Sequence, residues 1–395
     1  MRNLYFNDAW KSILVRRPIY HRIDEGVYIV ERDPIIDNSV FVTERFTITH
    51  IEKYLTKNQL NQFARLSDGH ILFLDDFTTP MKSTVQYIAI LIYKYKFRPE
   101  NLWFSLSLLH QCSKLKEELE SVGIHGVNIY FHNCWLNEIY DQYTNNIPFF
   151  EGLSDTVISK RYSTFTRRFD YSRYDLFCNF LNEDVLKDFN YTFTNFNPEN
   201  RPYPDPWVTK DELKNHEITK LYPSKTNVIH RWIDGMPYCL DVNDLRQSFP
   251  LEIYKRYKES SLNIVLETTF THYNNPGQQD IMLTEKTYKP IVSKKPFMLL
   301  APSGSLELLQ KEGFRTFGSL VDESYDKTDI MAKKQTLITD QIKMLNKLTD
   351  AEFFRKISEL DNTVNYNLRR FLNLGKMSVQ GHQQLFQDLD LIRKL

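Results

Sequence analysis

The feature that most narrows what this chain can fold into is a repeating pair. A short apolar run of strand length, closed by polar or charged residues, is followed by a segment with helical spacing. Strands are expected at 70–76, ending in Asp75-Asp76, and at 102–106 and 127–131, with helices over 83–95, 113–122 and 136–143. The pattern returns with strands at 162–166, 191–194, 261–270 and 296–300 and helices over 170–187 and 303–312. Leu115, Leu119 and Val122 fall at i, i+4 and i+7 and predict one helical face. Strands alternating with helices of this length imply βαβ units and a mostly parallel sheet. The expected fold class is therefore α/β.

The alternation pauses near 148–159, and 395 residues are long for one domain. The expected division is an N-terminal domain over 1–155, a second over 156–350 and C-terminal helices over 351–395. Shorter strands are read at 27–30 and 39–42, and a helix over 51–65. The Pro-, Asn- and Asp-rich span 195–248 reads as an insertion of loops and short helices. A polar helix is expected over 328–348, and two more from 351 to 395.

Composition excludes several classes. Lys+Arg and Asp+Glu number 50 each, so no global field draws in nucleic acid or a membrane, and anion binding must come from a local cluster. The four cysteines form no CxxC pair, which argues against a zinc site or a disulfide framework and fits a reducing compartment. The first residues lack the apolar core of a signal peptide, and the apolar run 87–93 is too short to span a bilayer. A cytoplasmic protein is expected.

Polar groups collect where strands turn into helices, most densely over 261–326. The run 261–270 carries Glu267 near its end, and Leu283-Thr284-Glu285-Lys286-Thr287-Tyr288-Lys289-Pro290 follows a polar loop. In open α/β sheets ligands bind beyond the carboxyl ends of strands, which places Glu267, Glu285 and Lys286 where a ligand belongs. Thr284 is a good N-cap and Glu285 complements a helix N-terminus, a purely structural role. A glutamate and a lysine at such a turn can also hold a ribose diol and a phosphate. Pro290 should kink this element or begin another, leaving 285–289 as a tight turn. Upstream, Arg167, Arg168 and Arg173 form the strongest local basic cluster. Guanidinium forks at a strand end suit a diphosphate. A solvated basic face is the plainer reading, and a groove for nucleic acid is a third, since aromatics interleave with the arginines.

The stretch from Leu262 to Asp326, with its Glu-containing strand end, its Thr284-Glu285-Lys286 and the Lys289-Pro290 leading to the next strand, resembles the C-terminal domain of GT-B-fold glycosyltransferases. It is most similar to fucosyltransferase-related enzymes and their viral and phage relatives. Arg167-Arg168 and Arg173 match the family's upstream arginine element. The resemblance covers residues 160–330, and the N-terminal half shares only the βαβ rhythm. It implies two Rossmann-like domains with a cleft between them and a C-terminal helical tail. It also implies that Lys286 and Arg168 contact the diphosphate of a UDP- or GDP-linked sugar and Glu285 the ribose, with Glu267, Thr284, Lys289, Arg167 and Arg173 in the same pocket. Glu267-Thr268-Thr269 stands where true fucosyltransferases carry Glu-Asn-Ser, so the donor sugar is not named by the resemblance. Glu267 and Glu285 lie 18 apart, unlike the Glu-x7-Glu of many retaining GT-B enzymes, which favours inversion.

Inverting transfer needs a base for the acceptor hydroxyl and stabilisation of the departing diphosphate. Asp75 and Asp76, at a strand's carboxyl end, are the candidate base, and His132-Asn133 a weaker one. No cofactor beyond the nucleotide-sugar co-substrate is expected. The one Asp-x-Asp spacing, Asp388-Leu389-Asp390, falls in the helical tail and argues against a metal. The expected acceptor is a hydroxymethylated base in phage DNA or a glycan hydroxyl, and the expected state a monomer or weak dimer. The alternative from another class is a non-catalytic nucleotide- or nucleic-acid-binding protein.

Overall fold

The computed structural model describes residues 20–24, 27–30, 40–43, 70–75, 81–153, 156–166, 169–194, 208–240, 251–267, 281 and 283–392. The helix expected over 51–65, the residues Asp76, Arg167 and Arg168, and most of the polar loop before Leu283 lie outside these. The chain divides into two compact units. The first comprises Met1–Glu138, Asn274–Met282 and Asn373–Leu395, and the second Ile139–Tyr273 and Leu283–Leu372.

In the first unit a six-stranded sheet runs in sequential order: β1 (Tyr20–Asp24), β2 (Val27–Val30), β3 (Val40–Thr43), β4 (His70–Asp75), β5 (Leu102–Leu106) and β6 (Asn128–Phe131). Strands β3 to β6 are parallel, whereas β1, β2 and β3 form an antiparallel meander. Strand β1 escapes the sequence reading because Tyr-His-Arg-Ile-Asp carries little apolar content, and pairing with β2 supplies what periodicity does not. Helices α1 (Met81–Tyr93) and α2 (Leu109–Ser121) make the crossovers. Val85, Ile88 and Leu91 of α1 pack with Leu115 and Leu119 of α2 and with Leu102, Phe104 and Leu106 of β5. Val122 does not join that face and is exposed. Because α2 begins earlier than expected, Gln111 takes the buried place one turn before Leu115, and Val122 becomes the C-cap residue ahead of Gly123, whose φ of 75° ends the helix.

Helix α3 (Cys134–Asn145) begins in the first unit and ends in the second, and α4 (Ile147–Gly152) follows. The second unit holds β7 (Lys160–Thr166), α5 (Tyr171–Asn182) and β8 (Phe189–Phe193). Three short helices, α6 (Lys210–Asn215), α7 (Glu217–Lys220) and α8 (Thr226–Asp234), occupy part of the expected insertion. Then come α9 (Glu252–Lys258), absent from the sequence reading, and β9 (Ser260–Leu266), α10 (Glu285–Val292), β10 (Phe297–Leu300) and α11 (Ser305–Lys311). The four strands are all parallel in the order β10-β9-β7-β8. Every residue of β9 is buried, as befits a strand covered on both faces. On one flank Phe177, Phe193, Tyr174 and Trp232 form an aromatic core, with the Phe177 and Trp232 rings stacked at 5.5 Å.

Helices α12 (Met331–Asn346), α13 (Asp350–Ser358) and α14 (Asp361–Ile392) complete the chain. The Thr349 hydroxyl and Glu352 carboxylate form a reciprocal capping box that starts α13. Helix α14 is one continuous helix whose residues up to Leu372 belong to the second unit and the rest to the first. Its later part lies against β6. The Ser378 hydroxyl accepts from the Asn133 amide at 2.7 Å, and the Tyr130 hydroxyl donates to Asp388 at 2.7 Å. The first aspartate of the Asp-x-Asp spacing is thus occupied by a phenol. Among the described residues no helix is long and apolar enough to cross a membrane.

Candidate functional site

The fold is α/β, with a mostly parallel sheet in the first unit and an all-parallel one in the second, and the strand order of the second unit locates its ligand-binding edge. Chain order leaves β7 in one direction to reach β8 and in the other to reach β9, so the topology switches between β7 and β9. In open α/β sheets the crevice for a ligand lies beyond the strand carboxyl ends at such a point. Glu267, singled out from the sequence, follows β9 at that end, whereas Arg167-Arg168, next in sequence after β7, lie outside the described residues.

Glu267 is fully buried and is committed to building the start of α10. Its Oε1 accepts from the Thr284 amide at 3.0 Å and the Thr287 hydroxyl at 2.5 Å, and its Oε2 accepts from the Thr284 hydroxyl at 2.6 Å. Thr284 is the N-cap, its hydroxyl accepting from the Lys286 amide. A buried carboxylate at the end of β9 therefore clamps the first turn of α10 in one orientation. Arg173 ties the switch point from the other side. It is buried, donating from one terminal nitrogen to the Thr166 hydroxyl at 2.9 Å and from the other to the Glu267 carbonyl at 2.7 Å. One guanidinium so spans the ends of β7 and β9.

The first turn of α10 brings together Glu285, Lys286 and Lys289. Glu285 is buried, with Lys286 Nζ at 3.0 Å and Lys289 Nζ at 3.9 Å. Burial opposes its charge, but the two ammoniums outweigh burial, and the carboxyl pKa stands at about 2. Lys286 is the more accessible cation, its side chain 24% exposed against 4% for Lys289. The turn thus presents an ionised carboxylate, which can accept from a diol, beside an ammonium that can meet a phosphate.

Helix α10 runs on through Pro290 to Val292, and the expected break does not occur. Proline removes one donor, for the carbonyl of Lys286, and its φ is already helical. The rest of the helix still closes, with the Lys295 amide donating to Pro290 O at 2.9 Å.

Next to β9, the carboxyl end of β10 carries a polar group that the sequence reading did not single out. Asp326 accepts from the Leu306 amide at 3.0 Å and so anchors the start of α11, while buried Lys334 donates to Ala301 O at 2.5 Å. Burial raises the Asp326 pKa to about 6 against the pull of neighbouring amides and Lys334. A turn of small residues, Ala301 to Ser305, was the available signal, but the partner lysine lies in a later helix and no local pattern announces it.

In the first unit Asp75 is the last residue of β4, in register with Leu106 of β5. His132 and Asn133, beyond β6, are buried. The His132 ring lies tilted against His382 of α14, centroids 4.4 Å apart, and burial, aided by that neighbour, lowers its pKa to about 3. Such an imidazole is neutral and committed to packing. Among the described residues no group of three or more His, Cys, Asp or Glu could hold a metal ion.

No family model and no curated protein matches the chain. Solved structures similar to it include two UDP-forming α,α-trehalose-phosphate synthases. The one from Burkholderia vietnamiensis is 13% identical, with 82% of this chain and 68% of that chain covered and a TM-score of 0.39. The one from Burkholderia xenovorans is 9% identical, covering 85% and 75%, with a TM-score of 0.39.

Proposed function

We propose that this chain is a glycosyltransferase moving a sugar from a nucleotide-sugar donor to an acceptor hydroxyl, with the donor's diphosphate and ribose held at the start of α10. The observation that carries this reading is the Glu285-Lys286-Lys289 turn, locked by Glu267 at the carboxyl edge of the β7/β9 switch point. An ionised, buried carboxylate suits a ribose diol, and Lys286 suits the departing diphosphate, where developing charge most needs a fixed cation. Arg167 and Arg168, leaving β7, are proposed to meet the same phosphates, and Arg173 and Thr284 to position the turn. Asp76, with Asp75 beside it, is the proposed base for an inverting, metal-independent transfer. The two-domain GT-B architecture and the likeness to fucosyltransferase-related and phage enzymes belong to this proposal. So do its acceptors, a hydroxymethylated DNA base or a glycan hydroxyl.

The test incubates the protein with a panel of UDP- and GDP-sugars, alone and with hydroxymethylcytosine DNA or oligosaccharides, and reads product mass. Transfer or donor hydrolysis is expected, and Lys286→Ala should lower it at least ~100-fold while the unfolding transition stays in place. Failure of every donor to bind or react would sink the reading. Tight binding of DNA that falls steeply with salt, with indifference to all donors, would favour a nucleic-acid-binding protein instead.

A further inference from the structure

Three lysines gather at the amino-terminal edge of the second unit's sheet, the end opposite the switch point. Lys258 closes α9, two residues before β9 begins. Lys294 and Lys295 lie in the turn from α10 to β10. Strands β9 and β10 are parallel neighbours, so their entrances lie side by side. Lys258 is repelled by Lys294, and Lys295 by Lys258, while Asp361 at the start of α14 attracts both Lys258 and Lys295. One carboxylate thus serves two of the three ammoniums, and it also sits in the first turn of its own helix, whose N-terminus draws on its charge. Among the described residues none of the three ammoniums has a hydrogen bond or ion pair.

Two further facts set this cluster apart from an ordinary solvated face. Lys258 and Lys295 are only partly exposed, and burial lowers the pKa of both, that of Lys295 to about 8. Lys294 also holds a φ of 51°. It is the left-handed residue of a Schellman closure in which the Lys294 amide bonds Ile291 O and the Lys295 amide bonds Pro290 O. Glycine is the default there. A lysine in that conformation carries a steric cost that glycine would not.

We propose that Lys258, Lys294 and Lys295 form a second anion site, which takes the phosphate group of a small solute at the edge of the sheet remote from Lys286. A phosphate dianion balances the surplus of three ammoniums over one carboxylate and supplies the acceptors they lack. The site does not depend on the glycosyltransferase reading.

The probe is inorganic phosphate. Tm is followed as phosphate replaces sodium chloride at constant ionic strength, in the unaltered protein, Lys286→Ala, Lys294→Gly and the double variant Lys258→Met/Lys295→Met. A saturable rise is expected in the unaltered protein, retained in Lys286→Ala and lost in the double variant. Lys294→Gly relieves the left-handed strain, so it should fold at least as well as the parent yet need about threefold or more extra phosphate for the same rise. Amine labelling at pH 8, read by mass spectrometry, gives a second measure. Bound phosphate should slow modification of Lys295 about fivefold for the first unit its pKa rises from about 8, and about tenfold for each further unit. No phosphate-specific rise, a rise unchanged by the lysine substitutions, a rise lost only in Lys286→Ala, or unprotected Lys295 would each overturn the site.

Discussion

Replacing Glu267 by glutamine tests whether the buried carboxylate beyond β9 builds the proposed donor turn. The substitution keeps size and burial and removes only the charge and one acceptor oxygen. Glu267 Oε1 receives two donors, the Thr284 amide and the Thr287 hydroxyl, and glutamine's carbonyl can keep both. Oε2 receives the Thr284 hydroxyl, and an amide NH2 there cannot accept it. Hydrogen bonds to charged groups contribute about 1.5–3 kcal/mol and neutral ones about 1. Weakening two bonds by about 0.5 kcal/mol or more each and losing a third of about 1.5 or more therefore costs at least ~2.5 kcal/mol in total. That is a loss of at least ~70-fold in the folded-to-unfolded ratio, since 1.36 kcal/mol is tenfold. Urea unfolding with an unchanged m-value gives the stability, and UDP and GDP titration gives the donor site. Both should weaken together. A change under ~0.5 kcal/mol, the ordinary size for a surface substitution, would refute the clamp. So would a fully destabilised protein whose nucleotide affinity is intact.

Acid should act on Glu285 in a defined window. Its folded pKa of about 2 lies below its unfolded value of 4.5, so its contribution is whole above pH 4.5 and is lost as pH falls toward 2. The two values differ enough for about 3 kcal/mol, and Glu285→Gln should flatten that part of a stability-versus-pH curve. Asp326 has the opposite sign. Its folded pKa of about 6 exceeds the unfolded 3.8, so stability falls as pH rises from about 4 to 6, and Asp326→Asn should remove that slope. At Gly381 an added Cβ would stand 2.2 Å from the Phe131 carbonyl oxygen, so Gly381→Ala should cost at least ~2 kcal/mol. Thermal unfolding checks it, and an unchanged Tm would show that α14 is not seated on β6.

The sequence made the strands legible because their apolar runs are short and sharply bounded. Strand β5 falls on Leu102–Leu106 as expected, and β4 and β10 end within a residue of the expected place. Helix starts were less visible, as at α2, where Leu109 opens the helix without a capping side chain. Helix α9 was missed because Glu-Ile-Tyr-Lys-Arg-Tyr-Lys is too short to show a period. At the candidate site, Thr284 as N-cap could be read from residue type alone. That Glu267 turns its carboxylate onto Thr284 and Thr287, and that Arg173 spans two strand ends, could not. Those bonds join residues far apart in the chain, and local pattern carries no information about such meetings.

Helix α14 has a consequence for the order in which the protein can be made. The first unit draws on the last residues of the chain, among them Ser378, Gly381, His382 and Asp388, all of which meet β6 or the residues just beyond it. Asn133 and Ser378 lie 245 residues apart, so these residues leave the ribosome long after the strand they meet. The second unit has all its strands in hand earlier. A nascent chain stalled before Asn373 therefore holds the β6 edge without its covering helix, although all six strands of that sheet have already been made.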